Sequence, residues 1–228
     1  MSTTSLVQAT DALEIARIES MPFGQHSYVI RRSDSLECVV VDPGFEPEGI
    51  VAWIDEHGLE PVAILLTHGH SDHIAGNGYL KRRWPALPIV IGRHDAPKLS
   101  DAKANLSAPF GLALTSPPAD RLLDDAETLS VAGLDMRVHE IPGHSIGHVV
   151  FVLDGVSPPV VIGGDVLFHE GIGRTDFPDG DFDALAQGIR QHLYSLPAEA
   201  IVLPGHGEPT TVGHERNYNP FVPGTSPR

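Results

Sequence analysis

The order of strands and helices predicts an α/β fold in which two sheets are covered by helices. Two observations carry this expectation. Short apolar runs ending in Gly, Pro or Asp alternate with segments of helical period, and they do so in two roughly equal halves. No repeat, low-complexity segment or linker divides the chain, so residues 1–228 are expected to form a single domain.

Tyr28–Ile30 and Cys38–Val41 read as antiparallel strands joined by a polar turn at Arg32–Ser35. Pro47–His57 places Ile50, Val51 and Ile54 at helical spacing, and Gly58 is a natural stop. Val62–Leu66 is a buried strand followed by a His-rich polar segment. Ile74–Trp84 has helical character ended by Pro85, and Ile89–Ile91 is a further strand. From Ala96 to Asp120 the period is lost around Pro109, Pro117 and Pro118, which predicts a long surface segment of the kind that covers a site. Leu134–Ile141, Val149–Leu153, Val160–Ile162 and Ile201–Leu203 read as strands. Asp181–Leu196 reads as a helix with Asp181 at its start and Leu185, Ile189 and Leu193 on one face.

Thirty acidic residues against 15 basic ones give a formal net charge of −15, without a Lys/Arg-rich run. A nucleic-acid partner, which calls for a basic footprint, is therefore not expected. No apolar stretch approaches the ~20 residues of a membrane helix, and Met1–Ser20 lacks the basic start and apolar core of a secretory signal. A cytoplasmic protein, monomeric or homodimeric and without membrane contact, is the expectation. Cys38 is the only cysteine, and its run of valines predicts a buried inert thiol.

The chemistry lies where His and Asp fall. Thr67-His68-Gly69-His70-Ser71-Asp72-His73 follows the strand Val62–Leu66. Residues two apart in an extended stretch point the same way, so His68 and His70 can converge on one ion. Asp72 and His73, where the chain turns into a helix, can address a second. Imidazole and carboxylate are ligands for zinc and similar divalent metals. The same grammar recurs at Pro142-Gly143-His144, Gly163-Gly164-Asp165 and Pro204-Gly205-His206-Gly207, each directly after a strand. A lone histidine is ordinarily a packing or surface residue; four strand-end turns carrying His or Asp are a pattern. His148 enters a strand and reads as packing or as support for a neighbouring ligand. His26, His94 and His169 could line a pocket but default to the surface, and His57, His139, His192 and His214 belong to no constellation.

His-x-His-x-Asp-His, Pro-Gly-His, Gly-Asp and Gly-His in this order resemble the metallo-β-lactamase superfamily, over about Asp42 to His206. The resemblance implies an αββα sandwich, two mixed sheets flanked by helices, with the site at one edge. It implies two divalent cations, zinc with iron or manganese as alternatives: His68, His70 and His144 on the first, Asp72, His73 and His206 on the second, Asp165 bridging. Asp42, in Val41-Asp42-Pro43-Gly44, either orients a ligand loop or is a turn former. Gly173-Arg174-Thr175-Asp176-Phe177-Pro178, Glu215 and Asn219-Pro220 look like the compact bacterial glyoxalase II type, which implies hydrolysis of a small acyl thioester, such as a glutathione conjugate, by a metal-bridging hydroxide that Asp72 helps orient. Arg174 either binds a substrate anion or pairs with Asp176.

The chain departs from that pattern at Ser145, where Thr is more usual, and at Gln25-His26-Ser27, where Asn-Cys is expected. Only 22 residues follow His206, too few for a C-terminal helical glutathione-binding domain. Alternatives are a persulfide dioxygenase with one ferrous iron on His68, His144 and Asp165, a lactone or ester hydrolase, and a non-catalytic protein that retains the fold. A serine triad is not expected.

Overall fold

The computed structural model describes residues 3–224. Met1 and Ser2, the start of the segment read as lacking a signal, and residues 225–228, the end of the C-terminal tail, lie outside the described residues. The first sheet holds seven strands in chain order. Strands β1 (Thr3–Thr10), β2 (Leu13–Ser20), β3 (Gln25–Arg32) and β4 (Glu37–Val41) form an antiparallel meander. Helix α1 (Glu48–His57) then crosses to β5 (Glu60–Leu66), parallel to β4. Helices α2 (Ser71–Ile74) and α3 (Asn77–Arg83) precede β6 (Ile89–Gly92), and β7 (Arg121–Leu123) closes the parallel half.

The second sheet begins with β8 (Thr128–Val131), β9 (Leu134–Glu140), β10 (Val149–Leu153) and β11 (Val160–Gly164), all antiparallel. A small hairpin, β12 (Leu167–Phe168) and β13 (Gly171–Ile172), leads to α4 (Phe182–Gly188). Strand β14 (Ile201–Pro204) returns parallel to β11, and β15 (Thr210–Thr211) and α5 (Val212–Tyr218) follow.

Strand alternation builds three apolar layers. Val39 and Val41 of β4 face Phe151 and Ile162 of the other sheet, while Cys38 and Val40 face Ile50 and Ile54 of α1. Val150, Val152, Val161 and Val202 turn outward onto Leu185 and Ile189. Strands buried on both faces explain the unbroken apolar runs of the sequence. The result is the expected αββα sandwich of two mixed sheets. Burial pushes the Cys38 thiol up to about 12, against the pull of Arg31, in keeping with an inert side chain. Among the described residues no helix is long and apolar enough to cross a membrane.

Three expectations change. The helix read over Ile74–Trp84 spans only Asn77–Arg83, since Gly76 just before it donates its N–H to Pro43 O at 2.8 Å and a side chain there would strike Pro43 and Gly44. The helix read over Asp181–Leu196 keeps its cap, Asp181 accepting from the Ala184 N–H at 3.0 Å, but widens into a π turn at Ile189–Leu193. The Ala96–Asp120 segment is only partly surface: Lys98, Leu99, Asn105, Ser107 and Ser116 are buried. Asn105 replaces periodicity with side-chain bonds, donating to Lys98 O and Leu114 O and accepting from the Ser107 N–H.

His57, exposed on α1, stacks on Trp53 with ring centroids 3.8 Å apart. His57→Ala should leave metal content and turnover unchanged and shift stability by no more than about 0.5 kcal/mol, as thermal melts and metal analysis would show.

Candidate metal centre

Every candidate ligand leaves a strand at the same end of the sandwich. Asp42 follows β4, Thr67–His73 follow β5, His144 follows β9, Asp165 follows β11 and His206 follows β14. His68, His70 and His144 form one cluster, and Asp72, His73 and His206 a second. Nδ1 of His70 lies 3.0 Å from Nε2 of His144. In the second cluster, Nε2 of His206 lies 3.3 Å from Asp72 and Nε2 of His73 lies 3.8 Å from it. Asp165 stands between them: Oδ2 is 3.4 Å from His144 and 3.6 Å from His206, and Oδ1 is 3.4 Å from His73.

Two glycines make this approach possible. Gly164 holds φ at +48° and accepts the Gly205 N–H at 2.8 Å. A side chain at Gly205 would collide with Asp165 Oδ1 and the His73 ring.

The outer contacts fix each ring. Asp42, itself at φ +46°, accepts from the Thr67 N–H at 2.8 Å, the Thr67 hydroxyl at 2.6 Å and His73 Nδ1 at 2.9 Å. Asp42 thus meets three donors besides standing in the turn. His73 thereby turns Nε2 toward the clusters. His144 donates from Nδ1 to Arg174 O at 2.9 Å, leaving Nε2 as a lone pair. The Asp165 N–H donates to Nε2 of buried His148 at 3.0 Å, so His148 supports the site as expected.

The donor set suits cations. Burial and neighbouring imidazoles hold His68 and His70 well below the usual histidine range, neutral and able to donate a lone pair. Burial lowers His73 too, but Asp165, Asp72 and Asp42 outweigh it and raise the ring to about 10. Burial raises Asp72, yet His73 and His206 bring it below the usual carboxylate range. The carboxylates therefore demand positive charge at this point. Among the buried polar atoms without a hydrogen-bond partner are Nε2 of His68, His70 and His73 and Oδ1 of Asp165. Unsatisfied buried groups are costly unless a ligand meets them, so the residues fit divalent cations.

Asp42, Thr67, Gln25 and Ser27 form one network. Gln25 and Ser27 donate to Asp42 O at 2.9 and 2.7 Å, which gives the unexpected Gln25-His26-Ser27 sequence a purpose. Asp95 was missed altogether. Fully buried, it accepts from the N–H groups of Gly69 and Gly147 and from Ser145, tying two ligand loops together. Its position in an aperiodic segment gave no signal, whereas Thr67 could have been read from its place beside His68.

His26 is buried rather than exposed, its N–H donating to Gly205 O at 2.7 Å. His94 is exposed and paired with Glu140 at 2.8 Å. His214 lies 3.1 Å from Glu170 and stacks on exposed His169, so it does belong to a cluster. His139 and His192 are half-buried with centroids 4.5 Å apart. Glu215 accepts from the Glu170 N–H and Asn219, and so anchors the β12–β13 hairpin. Arg174 forks onto Asp176 at 2.9 and 2.8 Å and lies over the Phe177 ring at 4.5 Å.

Above the clusters opens a cleft of about 530 Å³, walled by Phe23, Leu106, Phe110, Phe168 and Phe177. Thus part of the Ala96–Asp120 segment does cover the site.

The family model for the metallo-beta-lactamase superfamily matches residues 21–206. Hydroxyacylglutathione hydrolase GloC of Haemophilus influenzae is 36% identical over 83% of this chain and 89% of its own. A crystal structure of BLEG-1 B3 metallo-beta-lactamase superposes with a TM-score of 0.86 at 35% identity, over 91% of this chain and 99% of that one. The crystal structure of TTHA1623 in a di-iron-bound form gives a TM-score of 0.79 at 36% identity, covering 90% and 99%. With its sandwich, its strand-end histidines and aspartates, and this match over most of its length, the chain belongs to the metallo-beta-lactamase superfamily.

Proposed function

We propose that the chain is a metal-dependent hydrolase of small acyl thioesters, working as one unit with two divalent cations, zinc being the first choice. The observation that carries this reading is Asp165, whose carboxylate reaches side chains of both clusters. His68, His70 and His144 would hold one ion, Asp72, His73 and His206 the other, and Asp165 both. Bound there, the ions would lower the pKa of a water from about 15.7 to about 7 and polarise the acyl carbonyl. Around them, Asp42 holds the His73 ring and Arg174 O fixes the His144 tautomer. Asp72, close to both His73 and His206, would help orient the attacking water. A thiol with an unperturbed pKa of about 8.5 leaves readily as thiolate, so no strong general acid is required.

The relative named hydroxyacylglutathione hydrolase supports a thioester, and the di-iron structure supports two ions with iron as a workable metal. Purified protein supplied with lactoyl thioesters, a β-lactam and an organic persulfide tests the reading. Thioester cleavage without oxygen uptake is expected; faster β-lactam opening, or oxygen consumption with the persulfide, would overturn it.

Glutathione itself has little to grip. Arg174 is the only Lys or Arg among the described residues lining the cleft, and it is committed to Asp176. Replacing lactoyl-glutathione by the lactoyl thioester of a single cysteine derivative should therefore cost less than about tenfold in kcat/KM, roughly 1.4 kcal/mol. A hundredfold loss would establish a dedicated glutathione pocket. Arg174→Ala should raise KM by no more than about threefold at constant metal content. A larger rise would show a grip on a substrate carboxylate.

A further inference from the structure

The cleft wall has a chemistry that lactate and glutathione do not use. Phe177 stands edge-on to His70 and His144, with centroids 5.3 and 5.6 Å away, and Phe168 edge-on to His206 at 6.2 Å. Farther out, Phe23 packs on Phe45 at 5.7 Å and edge-on to Phe110 at 5.4 Å. Phe23 and Phe110 nevertheless remain 38% and 62% exposed. Aromatic rings gathered around a concave site and left in water mark a surface kept for an apolar ligand. Arg174 is neutralised by Asp176 and laid over Phe177, so it adds to the flat wall instead of calling for an anion.

We infer that the preferred substrates are thioesters with an apolar, phenyl-sized acyl group, seated against Phe177 and Phe168 and reaching Phe23 and Phe110. This rests on the thioester reading above and specifies its substrate class. In the reaction, water oxygen bonds to the acyl carbon and the C–S bond breaks. Sulfur leaves with the electron pair and is protonated, giving a carboxylate, a thiol and one proton. The acyl group faces an apolar wall throughout, and added apolar atoms that stay buried in the transition state raise kcat/KM.

The test is an acyl series on one small thiol, N-acetylcysteamine: acetyl, butyryl, hexanoyl and phenylacetyl thioesters. From acetyl to phenylacetyl, kcat/KM should rise at least about tenfold. In Phe110→Ser and in Phe23→Ser that ratio should fall at least about threefold, with metal content as in wild type. A flat series, or a tenfold preference for lactoyl-glutathione over the phenylacetyl thioester, would overturn the inference and leave thioester hydrolysis standing. Calorimetric binding of the phenylacetyl ketone analogue, with CH₂ in place of sulfur, separates the remaining case. Binding that weakens in Phe110→Ser without cleavage of any thioester would uphold the apolar site and refute the reaction. Absence of binding to the wild-type protein would overturn the apolar site itself.

Discussion

Asp165→Ala is expected to lose at least one metal ion per chain and nearly all turnover, a drop of at least about a hundredfold in kcat. The size of the effect follows from its position. Asp165 faces His144, His206 and His73 at 3.4–3.6 Å, so its loss weakens both clusters at once. It also leaves His73 and His206, which Asp165 holds above their ordinary range, without their main compensating charge. Elemental analysis of gel-filtered protein, beside a thioesterase assay, reads both consequences. A variant that kept two ions and wild-type kcat would refute the bridging role.

Asp42→Asn should lower metal affinity by about 10- to 100-fold while leaving the fold intact. Asn tolerates the left-handed backbone that Asp42 adopts at φ +46°, so the turn itself survives. The acceptor set does not survive. The carboxylate receives Thr67 on both N–H and hydroxyl and His73 on Nδ1, and an amide cannot accept on both arms. The His73 ring loses the partner that aims its Nε2. Chelator competition at fixed pH measures the affinity, with circular dichroism melts as the control. Unchanged affinity would reduce Asp42 to a shaper of the Pro43 turn.

The site was legible in the sequence because most of its ligands sit one to several residues past strands that are buried on both faces and therefore conspicuous. His68, Asp165 and His206 follow such runs, while His144 follows β9, in which Asp135 and Arg137 are exposed and apolar and polar residues alternate. Their supports were less visible. Asp42 meets Thr67 and His73 across 25 and 31 residues of chain, and Asp95 reaches Gly147 across 52. No local period announces such pairings. The edge strand β1 went unread because Thr3–Thr10 is rich in Thr and Ser and shows little apolar alternation. Very short strands such as β7, β12 and β13 carry too few residues to show a pattern and exist through tertiary pairing. The Ala96–Asp120 segment was legible as irregular. Its burial was not, since Asn105 and Ser107 satisfy the backbone through side chains that elsewhere signal exposure. The aromatic wall was equally hidden: Phe23, Phe110, Phe168 and Phe177 come from four separate loops or strand ends and meet only in the folded chain.

The proposed metal centre has two cations held by seven side chains. Its most direct test is the metal-to-protein ratio of chain purified without added metal and then saturated with zinc, manganese or ferrous iron, measured alongside thioester cleavage. About two ions per chain are expected, with cleavage rising as the second ion binds. One iron per chain, with oxygen uptake and no gain on further loading, would contradict it.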